Sequence, residues 1–251
     1  MPKVTHQYVI QQYAVAADNY RTLTLNLGLW QSEKELFTRY FHPNYALLDV
    51  GCGTGRTTFG LHQLGYTHLT GLDLTPQMVE HAQKLNGLFH SSIPFLEGNA
   101  CQLPFKDQSF DGAIFSFNGL MSIPKAENRL LAAKEIHRVL KPNAYFIFTT
   151  HDREGISKYF TFWQQEALRW KRGEIPSEVY EFGDLITESK NEPGKIFIHI
   201  PNHEEVQELI TASGFECLNT FMRDERFTES TEVLEASGDC RFWVVQKKKS
   251  L

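Results

Sequence analysis

The chain has 251 residues, of which 41% are hydrophobic and 22% are charged. These proportions are typical of a folded globular protein and exclude disordered, collagen-like and coiled-coil architectures. The longest weakly polar stretch, residues 112–124, contains serines and an asparagine. It is shorter than the roughly 20 apolar residues that a transmembrane helix needs. We therefore expect a protein that does not cross a membrane.

The formal net charge of −5 disfavours a nucleic acid partner, because such a surface repels phosphate backbones on average. The four cysteines, at positions 52, 101, 217 and 240, include no pair two residues apart. This spacing fits neither a zinc site nor a disulfide framework, so we expect reduced thiols and no metal. The N-terminus lacks the apolar segment and cleavage site of a secretory signal. Together these features predict a cytoplasmic protein.

Residues 45–150 alternate strands with helices. The predicted strands cover residues 45–50, 68–72, 93–96, 112–117 and 144–150. Thr75 and Pro76 are typical of an N-cap and a first helical residue, and they place one helix start. Residues 141–143 are predicted to end the last helix of this region. Alternation at this interval predicts an α/β fold with a parallel sheet covered on both faces.

The flanking regions are less regular. Residues 1–44 are predicted to be a mainly helical cap, and residues 152–200 interrupt the alternation. Between residues 159 and 182 there are seven aromatic side chains, which fit a helical hairpin packed on the core, a substrate lid or a subunit interface. A strand is expected at 195–200. Residues 201–251 form the C-terminal part of the sheet, with a helix expected at 204–212 and strands at 216–221 and 242–246. We therefore treat residues 1–251 as one domain.

A glycine-rich turn follows the first strand, at Gly51, Gly53 and Gly55. Glycines here let the backbone approach a ligand closely. A dinucleotide fingerprint needs glycines at relative positions 1, 3 and 6, but Arg56 holds the sixth place, and the P-loop lysine is absent. Asp73, at the end of the second strand, can accept hydrogen bonds from two ribose hydroxyls. The turn thus predicts a ribose-containing ligand that is neither NAD nor a hydrolysed nucleoside triphosphate.

Four segments in chain order resemble the class I S-adenosylmethionine-dependent methyltransferases. They are residues 47–56, 71–78, 98–111 and the helix end at 140–142. The resemblance implies a Rossmann-like, doubly wound seven-stranded sheet of order 3-2-1-4-5-7-6 with an antiparallel last strand and helical cap elements. It also implies S-adenosyl-L-methionine as cofactor and methyl transfer to a small or medium-sized acceptor by in-line displacement.

The resemblance assigns roles to individual residues. The glycines would lie along the methionine part of the cofactor, Asp73 would bind the ribose, and Asn99, where the family usually has an acidic residue, would meet the adenine edge. Tyr20 resembles a residue that closes over the cofactor in relatives. The full implied cofactor-binding set is Tyr20, Asp49, Gly51, Gly53, Thr54, Gly55, Asp73, Leu74, Met78, Asn99, Ala100 and Phe117.

The catalytic candidates are His151 and Asn118, which follow the fifth and fourth strands at the edge where open α/β sheets bind ligands. His151 could remove a proton from the acceptor, although transfer by positioning alone needs no base. The acceptor pocket is expected between the N-terminal helices and residues 152–200. Two alternatives remain: a methyltransferase acting on tRNA or protein, and a non-catalytic regulatory module that binds the cofactor. The sequence leaves the oligomeric state open.

Overall fold

The computed structural model of the protein describes residues 2–188 and 194–248. Its strands are β1 (Ala46–Val50), β2 (His68–Asp73), β3 (Phe95–Glu97), β4 (Phe110–Phe115), β5 (Leu140–Thr150), β6 (Asp184–Glu188), β7 (Lys195–His199), β8 (Phe215–Met222) and β9 (Arg241–Lys247). Its helices are α1 (His6–Asn26), α2 (Gln31–Tyr40), α3 (Arg56–Gln63), α4 (Pro76–Leu88), α5 (Ala126–Val139), α6 (Phe160–Lys171), α7 (His203–Ala212) and α8 (Thr231–Ala236). Within this part of the chain, no helix is long and apolar enough to span a membrane.

Seven of these strands form one sheet in the order β3-β2-β1-β4-β5-β9-β8. The strands from β3 to β5 are mutually parallel, whereas β9 runs antiparallel to both of its neighbours. Since β8 and β9 are the sixth and seventh strands of the predicted sheet, the predicted order and the antiparallel last strand are confirmed.

The sheet buries both of its faces. Successive residues of a strand point to opposite sides, and in β1 Leu47 and Leu48 are both fully buried but belong to different clusters. Leu48 packs with α5 and α7 residues such as Ile136, whereas Leu47 packs with α2, α3 and α4 residues such as Phe59. This two-sided burial explains the nearly continuous apolar runs that predicted the central strands.

The predicted end of α5 needs a correction. Residues 141–143 do not form a separate terminator, because the helix ends at Val139 and β5 begins at the next residue. Leu140 pairs with Phe110 of β4, and a register irregularity follows before the regular ladder. Asn143 takes the positive φ of 64° that its side chain tolerates. β5 is therefore four residues longer at its start than the sequence indicated.

Residues 152–188 do not form a helical hairpin. They contain one helix, α6, and the strand β6, which was not predicted and pairs antiparallel with β7 in a separate two-stranded sheet. Trp163 is the one buried residue of α6, and its ring contacts that of Phe182, as does the ring of Trp170. These three rings thus form a small cluster, whereas Tyr159, Phe160 and Phe162 are exposed. The proposed lid segment also includes residues 189–193, which lie outside the described residues.

Helix α1 lies against α3, α4 and β7. Thr5 caps it, since its side chain accepts a hydrogen bond from the Tyr8 N–H. The residues before it are fastened to the 152–188 segment, because the Val4 N–H donates to Glu178 O at 2.9 Å and the Tyr180 hydroxyl donates to Val4 O at 2.7 Å. These contacts hold α1 across the site described next.

Candidate cofactor and acceptor site

A cavity opens at the carboxyl ends of β1, β2 and β4, with α1 forming part of its wall. It contains about 1060 Å³ of space free of protein atoms, some of it open to solvent. Apart from Gly55, every predicted cofactor-binding residue lines it: Tyr20, Asp49, Gly51, Gly53, Thr54, Asp73, Leu74, Met78, Asn99, Ala100 and Phe117. The fold therefore brings residues from five separate segments to one place.

The glycine turn is shaped by close packing as well as by access to the cavity. Gly51 has a φ of 62°, and a Cβ atom there would overlap the Phe115 ring. Gly55 has a φ of 90° and begins α3, and a Cβ atom on it would lie 2.8 Å from the Phe59 ring. Gly55 thus faces the core, whereas Gly51 and Gly53 line the cavity.

Asp73 holds the glycine turn in place. Its Oδ2 accepts from the Gly53 N–H and its Oδ1 from the Thr75 N–H, both at 2.8 Å. Burial raises the pKa of Asp73, and the two N–H donors offset part of that shift. Because each carboxylate oxygen can accept a second hydrogen bond, the side chain can also receive two ribose hydroxyls.

Asp49 is a second buried carboxyl group on the cavity wall. Its Oδ2 accepts a hydrogen bond of 2.6 Å from the Thr58 hydroxyl. Burial raises the pKa of Asp49 to about 7, although Thr58 and the Arg56 guanidinium act in the opposite direction. This carboxyl group therefore changes charge near neutral pH, in a place where a cationic ligand would favour its ionised form.

Arg56 is bound tightly by its surroundings. It makes a bidentate pair with the fully buried Glu33, with both nitrogen–oxygen distances 2.6 Å. It also donates to Gly28 O at 2.8 Å, and its guanidinium lies 4.5 Å from the Trp30 ring centroid. Sequence reasoning found Arg56 but not Glu33, because nothing local in α2 marks that acid as a partner.

On the side of the cavity formed by β2 and β3, Leu74 and the buried Met78 lie near Asn99 and Ala100. The Asn99 amide oxygen accepts a hydrogen bond from the Cys101 N–H at 2.9 Å. One acceptor position of that oxygen and the amide N–H₂ group remain for a ligand. The uncharged Asn99 amide can therefore form hydrogen bonds with the edge of a base.

Two consecutive residues after β4 adopt left-handed backbone conformations. Phe117 has a φ of 55° and Asn118 a φ of 61°, which costs free energy for residues other than glycine. The Asn118 N–H donates to Thr149 Oγ1 at 2.9 Å, which fastens the turn to β5. The Phe117 ring meets the Tyr20 ring edge-on at 6.0 Å, so the turn and α1 touch beside the cavity.

The structure brings His151 and Asn118 together, but neither lines the cavity. His151 Nδ1 lies 2.9 Å from Asp239 O, so in the neutral ring this nitrogen donates and Nε2 accepts from Asn118. Burial lowers the pKa of His151, with a smaller contribution from the Arg223 charge. Within the described residues, the buried Asn118 Oδ1 has no hydrogen-bond partner.

The outer part of the cavity is formed by residues outside the implied cofactor-binding set. They come from the first turns of α1 and from the loop before α5: His6, Val9, Tyr13, Ser122, Ile123 and Pro124. Tyr13 and Ser122 are hydrogen-bonded through their hydroxyls at 2.9 Å. The spacing from His6 to Val9, Tyr13 and Tyr20 places these four on one helical face, and that pattern could have found them.

His199, at the end of β7, does not line this cavity. It is buried between Asp184, 2.8 Å from Nδ1, and Glu205, 3.3 Å from Nε2. Ligand atoms of Glu181, Asp184 and His199 lie within 4.8 Å of one another, but Glu181 already pairs with Arg129 at 2.9 Å. These contacts are those of a structural charge cluster that joins β6, β7 and α7.

Residues 48–148 match the family described as the methyltransferase domain. Over 205 residues the chain is 30% identical to the ubiquinone/menaquinone biosynthesis C-methyltransferase UbiE of Bartonella henselae, covering 74% of this chain and 76% of that relative. The chain belongs to the class I S-adenosylmethionine-dependent methyltransferases. The match covers 62% of the length of a second curated relative, from Bartonella tribocorum, and 77% of the length of a third, from Methanocaldococcus jannaschii.

Solved structures share the fold of this methyltransferase. A methyltransferase of Methanosarcina mazei superimposes with a TM-score of 0.69 at 23% identity, covering 89% of this chain and 100% of that one. The 1,6-didemethyltoxoflavin-N1-methyltransferase of Burkholderia thailandensis, solved with its acceptor and S-adenosylhomocysteine, gives a TM-score of 0.66 at 14% identity, covering 99% and 93%. Membership of the class I family, shown by the family match and the Bartonella henselae relative, makes S-adenosylmethionine the cofactor of this methyltransferase.

Proposed function

We propose that this methyltransferase transfers the methyl group of S-adenosylmethionine to a planar, largely apolar ring held between α1 and the turn after β4. The observation that carries the proposal is the continuity of one cavity from the glycine turn to the first turns of α1. Its outer wall carries Val9, Tyr13, Ile123 and Pro124. Such a wall suits a flat apolar molecule better than a polar macromolecule.

In this proposal the cofactor occupies the inner part of the cavity. Asp73 accepts hydrogen bonds from the ribose hydroxyls, Leu74 and Met78 border the adenine, and Asn99 and Ala100 meet its edge. Gly51, Gly53, Thr54 and Tyr20 line the methionine part, with Asp49 near its positive charges. Gly55 packs against the core side of the glycine turn and does not contact the cofactor.

When bound, the cofactor supplies a methyl group already activated by its positive sulfur. The chain's contribution is to align the acceptor atom with that methyl group and to exclude water. Alignment alone can lower a barrier by as much as about 7 to 11 kcal/mol in favourable cases. The rings of Tyr20 and Phe117, which meet edge-on at 6.0 Å, form part of the wall around this point. In the displacement, the acceptor atom bonds to the methyl carbon as the sulfur–methyl bond breaks, and the acceptor then loses a proton.

The names of the relatives support a ring acceptor. The Bartonella relative is named for quinone biosynthesis, and the Burkholderia neighbour was solved with a toxoflavin precursor. We propose a hydroxylated aromatic ring as the acceptor class for this chain. A cytoplasmic location and the absence of a nucleic acid partner belong to the same proposal, supported by four free cysteines and a net charge of −5.

The test combines binding and transfer. Calorimetry with S-adenosylmethionine should give a 1:1 complex, and labelled methyl should appear on 1,4-naphthohydroquinone kept reduced during the assay. Transfer instead to tRNA or protein substrates would replace this proposal with the macromolecular alternative. Tight cofactor binding without transfer to a panel of hydroxylated rings would favour a regulatory module.

A further inference from the structure

The outermost residue of the cavity wall on α1 is His6, in the first turn of the helix. Its imidazole is half-buried, yet it makes no hydrogen bond to any residue in the described part of the chain. Most side-chain polar groups beside a cavity are satisfied by protein or by solvent. An imidazole with no protein partner is free to bind a ligand that enters this end of the cavity.

Two lysine ammonium groups lie near this end of the cavity. Lys125 directly follows the wall residue Pro124, and its charge, after burial, is the second cause that lowers the pKa of His6. The ammonium groups of Lys125 and Lys3 lie 5.1 Å and 4.7 Å from the centroid of the same Tyr180 ring. The two lysines do not line the cavity, but they belong to segments that border its outer end.

The opposing charges near these groups are exposed. Glu127 lies 3.6 Å from the Lys125 ammonium and has 72% of its side-chain surface exposed, so the pair is weak. Glu178 and Lys195 on the adjoining segments interact with each other, and the pKa of Glu178 is lowered chiefly by Ser177. Among these groups, no buried carboxylate neutralises the charge around His6.

The backbone at Lys125 is strained. Its φ of 71° with ψ of 136° lies outside the regions that side-chain-bearing residues normally adopt. The N–H groups of Asn128 and Arg129 donate to Lys125 O at 3.1 and 3.2 Å and hold this conformation at the start of α5. Strain of this kind persists where the surrounding structure enforces it, commonly at ligand sites.

Distance along α1 separates this end from the reacting methyl group. With a rise of about 1.5 Å per residue, His6 lies roughly 10 Å along the helix from Tyr13 and roughly 21 Å from Tyr20. Tyr20 is the side chain beside Gly53, since a Cβ atom on that glycine would lie 3.8 Å from its ring. His6 is therefore too far from the glycine turn to act on the atom that receives the methyl group.

We infer that His6 and Lys125 form a subsite for an anionic group at the far end of the acceptor, so that the acceptor is an acidic aromatic molecule such as a ring carboxylate. The inference rests on the proposed function, because it assumes that the ring occupies the cavity between this subsite and the cofactor. A charge at the far end would fix which way the hydroxylated ring lies in the cavity.

The test compares two probes with the same ring. Calorimetry is performed with S-adenosylhomocysteine bound, using 2-naphthoate and the uncharged 2-naphthalenemethanol. We expect 2-naphthoate to bind about tenfold more tightly, as a charge-assisted contact allows. Lys125→Met should weaken 2-naphthoate about fivefold and leave the alcohol unchanged, whereas Lys134→Met, an exposed site on the same helix, should affect neither.

The dependence on pH supplies a second readout. Burial and the Lys125 charge lower the pKa of His6, whereas a bound anion raises it, so binding takes up a proton. The affinity for 2-naphthoate should rise as the pH falls from 7.5 to 6, and the imidazole resonance of His6 should titrate at higher pH in the complex. His6→Gln should abolish both changes.

Equal affinities for the two probes, or no effect of Lys125→Met and His6→Gln, would overturn the anionic subsite. Failure of both probes to bind while S-adenosylhomocysteine does bind would overturn it as well. Failure of S-adenosylhomocysteine itself to bind would contradict the proposed function, so the two ideas fail in different ways.

Discussion

The side-chain nitrogen of Asn118 lies 3.2 Å from Nε2 of His151, and the other ring nitrogen of His151 lies 2.9 Å from Asp239 O. Both nitrogens of the imidazole are therefore used by the protein, at a point beside the cavity and not on its wall. The pair connects the strained turn after β4 to the end of β5. This geometry favours a positioning role for His151 over direct proton transfer.

We accordingly expect His151→Gln to lower turnover about tenfold or less, without changing the shape of the pH profile. A general base would contribute at least about 100-fold and would give its own pKa to the profile. Single-turnover methyl transfer across pH 5.5 to 9 distinguishes the two. If the fall in rate at low pH disappears in the variant, His151 acts as the general base instead.

Asp73→Asn should weaken S-adenosylmethionine binding about 10- to 100-fold, the range expected for one or two charge-assisted hydrogen bonds. The substitution keeps the shape of the side chain, but the amide nitrogen cannot accept from an N–H or a hydroxyl. Asp18→Asn, at an exposed carboxylate on α1, is the matched control and should bind normally. Unchanged affinity in the Asp73 variant, measured by calorimetry, would contradict its assignment to the ribose.

Asp49 should make cofactor binding depend on pH. Its pKa of about 7 means that the carboxyl group is largely ionised at pH 8 and largely protonated at pH 6. Since a cationic cofactor favours the ionised form, the affinity for S-adenosylmethionine should fall as the pH drops from 8 to 6. Asp49→Asn should bind more weakly at pH 8 and show a flatter profile. An identical pH dependence in the two proteins would exclude this role.

The same raised pKa affects the ligand-free protein. A carboxyl group with a higher pKa in the folded state stabilises the fold at low pH and loses that contribution as the pH rises through the folded-state pKa. For Asp49 the loss falls between about pH 4, the unfolded value, and pH 7. Asp49→Asn should therefore be more stable than the wild type at pH 8 in the absence of ligand, as measured by denaturant unfolding.

Gly51→Ala should destabilise the fold more than Gly28→Ala. Both glycines have a similar positive φ, 62° and 57°, so each substitution costs about 1 to 2 kcal/mol of backbone strain. Gly28 has open space around it, whereas a methyl group at Gly51 overlaps the Phe115 ring. Thermal unfolding with and without S-adenosylmethionine measures the difference. An equal loss of stability in the two variants would mean that the Phe115 ring moves aside at little cost in free energy.

Helix α6 should exchange its amide hydrogens faster than α5 in the free protein, because Trp163 is its single buried residue, whereas α5 buries five. If α6 belongs to a lid, exchange there should slow when S-adenosylhomocysteine and an acceptor are both bound, while exchange in α5 stays constant. Equal protection of α6 with and without ligands would identify it as a fixed surface element.

The sequence predicted the features whose causes are local. The glycine turn, the Thr75 and Pro76 helix start and the apolar strands depend on neighbouring residues, and their positions agree with the structure within a few residues. Strand β6 was missed because only its pairing with β7 distinguishes it from a loop. The Glu33 partner of Arg56 was missed for the same reason, since 23 residues separate them.

The helix α1 has a kinetic consequence. It contributes Tyr20 and Thr24 beside the cofactor and His6 and Val9 at the opposite end, so one rigid rod about 27 Å long lies along the whole cavity. A shift of this helix would therefore change the cofactor end and the acceptor end of the cavity together. If α1 must shift before S-adenosylhomocysteine leaves, product release would limit steady-state turnover even where transfer itself is fast.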